Sequence, residues 1–488
     1  MQSKIRSLAS DTLVYGVSTV VGRFLTFLLT PLYTNYLSAG EIGDVTAIFA
    51  MIAFVNIAYS LGLEPAFMRF WEREDEQRSD QVFSAAYLGV AVLGLVVTGL
   101  TVLLAPYIAT SSVLQLDGQG ADVVRIAAFI PLFDALVLIP FARLRMQRKP
   151  RTFALLRLLT ILVNVALNIV FVVLWGWRVE GVLLAGVISA ASTLVFFIPS
   201  LVRRPSSDVL HAEGHSLLAT RYSVLATRYS LLKELLRFGL PTVPASFSSI
   251  MVQVVDRPIL LMMTSSAVVG LYQTNFRLAI PLMMFVTVFE YAWKPFYLSH
   301  RDDADAKAIF SRVLTLFTIV CGAIFLITAV FMPYIVQMPF IGGRFINPIY
   351  WSGMSIIPIV MFAYFFNGVF INLAAGLHIQ KKTGWLPLAT GVAAVLNVVF
   401  TLVLVPVMDI EGAAWAKVIA YVGSVVVLWW YVQRVYPMTY DLRRIITTLF
   451  VCAAVYAAVV QLPSIYTAVL ALPAYVVLLL ATGVLERS

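Results

Sequence analysis

The chain has 488 residues, of which 61% are hydrophobic and 12% charged, with a formal net charge of +9 and a mean hydropathy of +0.91. A water-soluble protein of this length needs far more polar surface, so the solvent for most of this chain is lipid. Its two cysteines, Cys321 and Cys452, both fall in apolar runs, which excludes a disulfide framework and a cysteine metal site.

A helix needs about 20 apolar residues to cross the hydrocarbon core. Runs of that kind recur at about 12–37, 42–64, 80–105, 122–142, 152–175, 181–201, 238–262, 267–292, 309–332, 348–376, 384–407, 411–433, 444–461 and 464–484. The first follows Lys4 and Arg6, is too long for a signal-peptide core and lacks a small-residue cleavage site, so it reads as an uncleaved span. Uninterrupted runs, rather than ten-residue alternation, predict helices and not a barrel. The expected fold class is an all-α integral membrane protein of about fourteen transmembrane helices.

Sorting the 34 Lys and Arg onto alternating sides tests that topology. With the N-terminus cytoplasmic, 27 fall on the cytoplasmic side, two (Arg178 and Arg344) on the other, and five (Arg23, Arg125, Arg257, Arg277 and Lys417) within spans. So uneven a division is the positive-inside signature, and it removes the nucleic-acid explanation of the net charge. Both termini are expected in the cytoplasm.

The longest cytoplasmic connection, 204–237, carries a tandem duplication, Ala219-Thr-Arg-Tyr-Ser223 and Ala226-Thr-Arg-Tyr-Ser230. It reads as a tolerant linker, with Arg221 and Arg228 able to rest on an anionic leaflet. Around it the chain repeats. Leu167-Asn168-Ile-Val-Phe171 with Val179-Glu-Gly-Val-Leu-Leu-Ala185 matches Leu396-Asn397-Val-Val-Phe400 with Ile410-Glu-Gly-Ala-Ala-Trp-Ala416; more weakly, Ser38-Ala-Gly-Glu-Ile-Gly43 matches Ser266-Ala-Val-Val-Gly270. An offset of six spans makes the repeat parallel, a transporter architecture. The expected organisation is a six-helix lobe at 1–203, the linker at 204–237, a second six-helix lobe at 238–435 and a terminal helix pair at 436–488.

Ionisable residues inside spans are costly and commonly face a bundle interior or an aqueous cavity. Arg23, Asp134 and Arg277 are the candidates for a substrate-binding or cavity role, together with Asn168 and Asn397, although interhelical hydrogen bonding is the commoner role for asparagine. Glu64, Arg69, Asp256, Arg257, Glu290 and Lys417 are candidates for gating or ion pairing. Glu64 and Arg69 are expected to pair across about one turn of helix. Asp256 and Arg257 fit an interhelical ion pair or snorkelling, and Lys417, near Glu411, fits snorkelling. Pro241, Pro244, Pro258 and Pro281 are positioned to kink their spans.

Enzyme signatures are weak. Asp303-Ala-Asp305 has the spacing of a glycosyltransferase metal motif but sits in a short loop, Ser230-Leu-Leu-Lys233 lacks any partner motif, and there is no phosphate-binding glycine loop for ATP. Neither a catalytic residue, a metal site nor a cofactor is expected.

The stretch from Leu37-Ser-Ala-Gly-Glu-Ile-Gly-Asp44 to Tyr59-Ser-Leu-Gly-Leu-Glu-Pro-Ala-Phe-Met-Arg-Phe70 resembles the polysaccharide biosynthesis (polysaccharide transporter) family of the multidrug/oligosaccharidyl-lipid/polysaccharide exporter superfamily. Val254-Val-Asp-Arg257 and Glu411-Gly-Ala-Ala414 are similar to their counterparts there. The resemblance implies two lobes in a V, alternating access, and a cargo of undecaprenyl-pyrophosphate-linked oligosaccharide for O-antigen, lipopolysaccharide, capsule or exopolysaccharide in the bacterial inner membrane. It assigns Arg23 to the cavity. It also implies coupling to H+ or Na+, with Asp134 as a candidate site, or to the polymerase machinery that consumes the product. The rivals are a lipid II flippase, a cation-coupled multidrug exporter and, from another class, a membrane glycosyltransferase or polymerase.

Overall fold

A computed structural model describes residues 20–72, 74–116, 118, 120–202 and 229–485. The first copy of the tandem duplication and most of the second, together with most of the expected linker, lie outside the described residues, as do Lys4, Arg6 and Arg487. Among the described residues the regular structure is helical apart from a two-residue antiparallel pairing of Pro339–Phe340 with Gly343–Arg344.

In chain order the helices are α1 (20–36), α2 (Ala39–Ser60), α3 (Leu63–Phe70), α4 (Glu76–Leu103), α5 (Gly120–Met146), α6 (Pro150–Leu174), α7 (Arg178–Val202) and α8 (Tyr229–Val254). They continue as α9 (Asp256–Met263), α10 (Ser266–Leu278), α11 (Ile280–Ser299), α12 (Ala306–Ile335), α13 (Ile356–Ile379), α14 (Trp385–Val435), α15 (Leu442–Gln461) and α16 (Ile465–Ala481). Among the described residues ten helices are long and apolar enough to cross a membrane, eleven when α10 and α11, bent by 53°, count as one. The 51 residues of α14 would be about 76 Å long as one rod, more than twice a bilayer core, and the helix turns back at Asp409 (φ 51°, ψ −127°). With α14 counted twice and α1 and α16 included, every expected span coincides with helix over its described residues.

The repeated Glu-Gly pair marks matching corners. After α6 the chain turns at 175–177, and a Cβ on Gly181 would meet Phe171 and Trp177 Cβ at 3.1 Å. At the turn inside α14 a Cβ on Gly412 would run into the main chain of Leu404. At Gly412 only glycine lets the second arm start so close to the first, whereas at Gly181 a side chain would have to push Phe171 and Trp177 aside by a few tenths of an ångström.

Chain contacts divide the molecule into two compact units, Asp44–Ile250 and the described residues up to Gly43 together with those from Met251 onward. In the first, Leu63, Phe67, Val82, Phe83, Ile139 and Leu235 form a core in which Phe67 meets Trp71 and Phe83 edge-on. Leu235 joins it because α8 begins at Tyr229, inside the stretch expected as linker, and its leucines at 231, 232, 235 and 236 supply an apolar face. In the second unit α11, α12, α13 and the first and last turns of α14 pack around Trp293, Phe310, Leu373 and Leu428. The terminal pair α15–α16 packs on α12: Tyr475 donates to Ile319 O at 3.0 Å, and its ring occupies the room that a side chain at Gly322 would take.

Candidate functional site

The second unit gathers most of the intramembrane charge. Pro258 has no N–H to give the Val254 carbonyl, and the helix breaks at Val255, between α8 and α9. Side chains from both arms of α14 reach the carbonyls at this break. Asn397 Nδ2 donates to Met251 O (3.3 Å) and Val252 O (3.1 Å), and Lys417 Nζ donates to Gln253 O (3.0 Å). Asp256 accepts from Lys417 Nζ (3.0 Å), Arg257 NH1 (3.1 Å) and the Tyr272 hydroxyl (2.6 Å). Arg257 also donates to Gln273 Oε1 at 2.9 Å and to Gln253 O. Both cations lie on the Phe276 ring, at 4.6 Å for Arg257 and 4.7 Å for Lys417. Asp256 is 0% and Lys417 2% exposed, so neither reaches the interface. For Asp256 the ion-pair alternative holds, with Lys417 from another helix and with Arg257, and for Lys417 a buried ion pair replaces the expected snorkelling.

This cluster holds two cations on one carboxylate, an excess of one positive charge in an apolar interior, stabilised by carbonyls and a ring face. More positive charge lies beside it. Arg23 on α1 donates to Thr287 Oγ1 on α11 at 2.7 Å, a neutral partner. Arg277, in the last turn of α10, is half-buried with Tyr33 and Arg257 in electrostatic range, and its guanidinium has no hydrogen bond or ion pair among the described residues. Glu290 is exposed and within range of Lys294, one turn on, and of Arg23.

The same unit contains a reciprocal helix crossing. A Cβ on Gly43 would collide with the main chain of Ser266, and a Cβ on Gly270 with that of Ala39. These are the positions paired by the weaker repeat, so two related segments meet backbone to backbone through each other's glycine.

In the unit 44–250 the charges are arranged differently. Glu64 pairs with Arg145 on α5 and not with Arg69, which is exposed and has no ion pair among the described residues. At 100° per residue, five residues place Glu64 and Arg69 on different faces of α3, which is why the expected pair does not form. Arg143 meets Asp80 at 2.7 Å and lies over Phe83 at 4.7 Å. Asn168, 0% exposed, donates to Asn164 O at 2.9 Å, and Asn164 donates to Ser189 Oγ at 3.1 Å. Of the two repeat asparagines, Asn397 thus ties helix to helix, whereas Asn168 donates within α6 to Asn164, and Asn164 makes the link to α7.

Asp134 on α5 is exposed, and Arg157 on α6 lies within its electrostatic range. Arg157 is one of the 27 Lys and Arg that the positive-inside sorting places on the cytoplasmic side, which hides it among the loop charges. The available signal is its angle: it stands about 200° around α6 from Leu155, on the stripe with Thr160, Asn164 and Asn168 and opposite the exposed Leu155, Leu162 and Ile169.

With this geometry in hand, the comparisons with known proteins are informative. A family model described as polysaccharide biosynthesis protein matches residues 8–299. No curated protein matches the sequence. Among solved structures, the chain is similar to the lipid II flippase MurJ in an inward closed conformation, with a TM-score of 0.75 and 13% identity over 96% of this chain and 99% of that one. It is also similar to a multidrug resistance MATE family transporter of the MOP superfamily. The inward-facing conformation gives a TM-score of 0.67 with 15% identity, covering 85% of this chain and 94% of that one. The outward-facing one gives 0.58 with 15% identity, covering 88% and 97%. At these identities the likeness is one of fold.

Proposed function

The chain belongs to the polysaccharide biosynthesis protein family, and from that membership we propose that it is a flippase carrying an undecaprenyl-pyrophosphate-linked oligosaccharide from the cytoplasmic to the periplasmic leaflet of a bacterial inner membrane. The cargo would feed O-antigen, capsule or exopolysaccharide assembly, whose polymerase machinery consumes the product. The observation that carries this is the surplus of cations in the second unit. Arg23 rests on a neutral hydroxyl, Arg277 has no partner among the described residues, and Asp256 already bears two cations. Uncompensated charge in a low-dielectric interior favours an anion, and the planar fork of arginine matches phosphate oxygens in a bidentate way. Arg23 and Arg277 are assigned to the pyrophosphate. The fold is that of MOP-superfamily transporters, which suits alternating access, and both termini are assigned to the cytoplasm by the distribution of Lys and Arg.

A second cargo is favoured by one observation. The match to MurJ covers 96% of this chain and 99% of that one. Lipid II shares the polyprenyl pyrophosphate and would meet the same arginines. Export of cationic drugs fits the surplus of positive charge poorly, although H+ or Na+ coupling at Asp134 is compatible with either cargo.

Depletion in the native bacterium tests the reading. Lipid-linked oligosaccharide should accumulate on the cytoplasmic leaflet while surface polysaccharide falls. Accumulation of lipid II with surface polysaccharide unaffected would replace the first cargo with the second, and no accumulation of either would remove both.

A further inference from the structure

Arg344 sits in the hairpin between α12 and α13, one of the two basic residues that the positive-inside sorting leaves on the outer face. A cation there opposes the orientation of its own loop, so topology does not account for it. Its main chain is fixed. Pro339 pairs with Arg344 and Phe340 with Gly343, Phe345 N donates to Met338 O at 2.7 Å, and Ile346 N donates to Val336 O at 3.1 Å. The turn presses on the outer end of α1 through two glycines, Gly342 at φ 86° and Gly343 at φ 155°. A Cβ on Gly342 would meet the Tyr36 ring at 2.8 Å, and one on Gly343 would meet Asn35 Oδ1 at 2.7 Å. Asn35 Nδ2 donates to Arg344 O at 2.7 Å and to Pro31 O at 2.8 Å, and the Phe345 ring lies 6.3 Å from that of Phe27. The hairpin is thus locked to α1, the helix that carries Arg23.

The side chain is held as firmly as the main chain. The Arg344 guanidinium lies over the Trp351 ring at 5.2 Å, and that ring is pinned by its own Nε1, which donates to Ile346 O at 3.1 Å. A ring face holds a guanidinium without consuming any of its N–H donors. Arg344 is exposed, and its side chain has neither a hydrogen bond nor an ion pair among the described residues. Glu41, the first acid after the end of α1, is engaged by Ser38 N at 2.8 Å and Ser38 Oγ at 2.9 Å. The hairpin and the turn after it also expose Met338, Ile341 and Ile349. A free planar donor on an apolar surface at the membrane edge matches a phosphate attached to a lipid: the fork takes the phosphate oxygens and the apolar side chains take the hydrocarbon.

We propose that Arg344, backed by Trp351, is an exit-side phosphate site that receives the pyrophosphate of the cargo after Arg23 releases it. The inference rests on the flippase reading and adds a second station to it. Twelve residues of α1, about 18 Å of helix rise, separate Arg23 from Asn35. One element therefore offers the phosphate a cation within the bilayer and, through the hairpin it holds, another at the outer edge.

The test measures binding of undecaprenyl pyrophosphate to the purified full-length protein in phosphatidylcholine nanodiscs by native mass spectrometry. A variant with both Arg23→Ala and Arg277→Gln, which lacks the inner cations, should still bind the lipid. Adding Arg344→Gln should weaken that remaining binding about tenfold, the value of one charged hydrogen bond. Arg344→Lys, which keeps the charge but loses the fork, should restore part of it. The Arg344 variants keep the carbonyl that Asn35 binds, so their unfolding temperature should match that of the parent. An equal amount of phosphatidylglycerol should not displace the bound lipid. Displacement by phosphatidylglycerol would give Arg344 to ordinary headgroups and overturn its place in export. Remaining binding that is absent, or that Arg344→Gln leaves unchanged, overturns the exit site and leaves the flippase reading standing. Wild type that binds undecaprenyl pyrophosphate no better than phosphatidylcholine overturns both.

Discussion

Lys417 places its ammonium 3.0 Å from Asp256 Oδ2 while Arg257 NH1 lies 3.1 Å from the other oxygen, so one carboxylate neutralises two buried cations in part. The two sides of this cluster are not equivalent. Asp256→Asn strands two cations and should cost on the order of 3–5 kcal/mol. Lys417→Met leaves a balanced Asp256–Arg257 pair and should cost about 1.5–3 kcal/mol, near the value of a charged hydrogen bond. Thermal unfolding of the two variants in detergent should rank them in that order; a Lys417 variant less stable than the Asp256 variant would show that another group compensates the surplus charge.

Arg277 is predicted to separate function from stability. Because its guanidinium holds no partner among the described residues, Arg277→Gln removes an uncompensated charge from the interior and should unfold at or above the wild-type temperature. Transport should nevertheless fall by about tenfold or more, the loss of a charged contact to phosphate. A large drop in unfolding temperature would assign this residue to packing.

The crossing of Gly43 with Ser266 and of Gly270 with Ala39 predicts non-additivity. Valine at either glycine pushes the same two backbones apart, so Gly43→Val and Gly270→Val should each abolish transport, and their effects on unfolding temperature should not sum in the double variant. Additive losses would mean that the two contacts are independent.

Charge reversal tests the partner of Glu64. Glu64→Arg should be rescued by Arg145→Glu, with a coupling of about 0.5–3 kcal/mol for residues in contact. Arg69→Gln should be silent. Rescue through position 69 instead would restore the local pair.

The positions of the helices were legible because apolar length is a local property: each run long enough to cross a membrane is helix over its described residues, and the recurring Glu-Gly pairs became the corners at Gly181 and Gly412. The partners of the charges were less so. Lys417 lies six residues from Glu411, about 600° around the helix, so proximity in sequence put them on different faces. Its actual partner, Asp256, comes from a helix break that Pro258 creates 159 residues earlier in the chain. Arg157 illustrates the opposite case. Its place opposite the lipid face of α6 was encoded in the sequence, but its membership of the basic loop region concealed it.

The central claim is tested most directly in reconstituted vesicles, by measuring how much lipid-linked oligosaccharide becomes accessible to a probe on the leaflet opposite to the one loaded. Wild-type protein should raise that accessible fraction above protein-free vesicles, and Arg23→Ala should remove the increase while remaining folded. Accessibility that is the same with and without the wild-type protein would contradict the account.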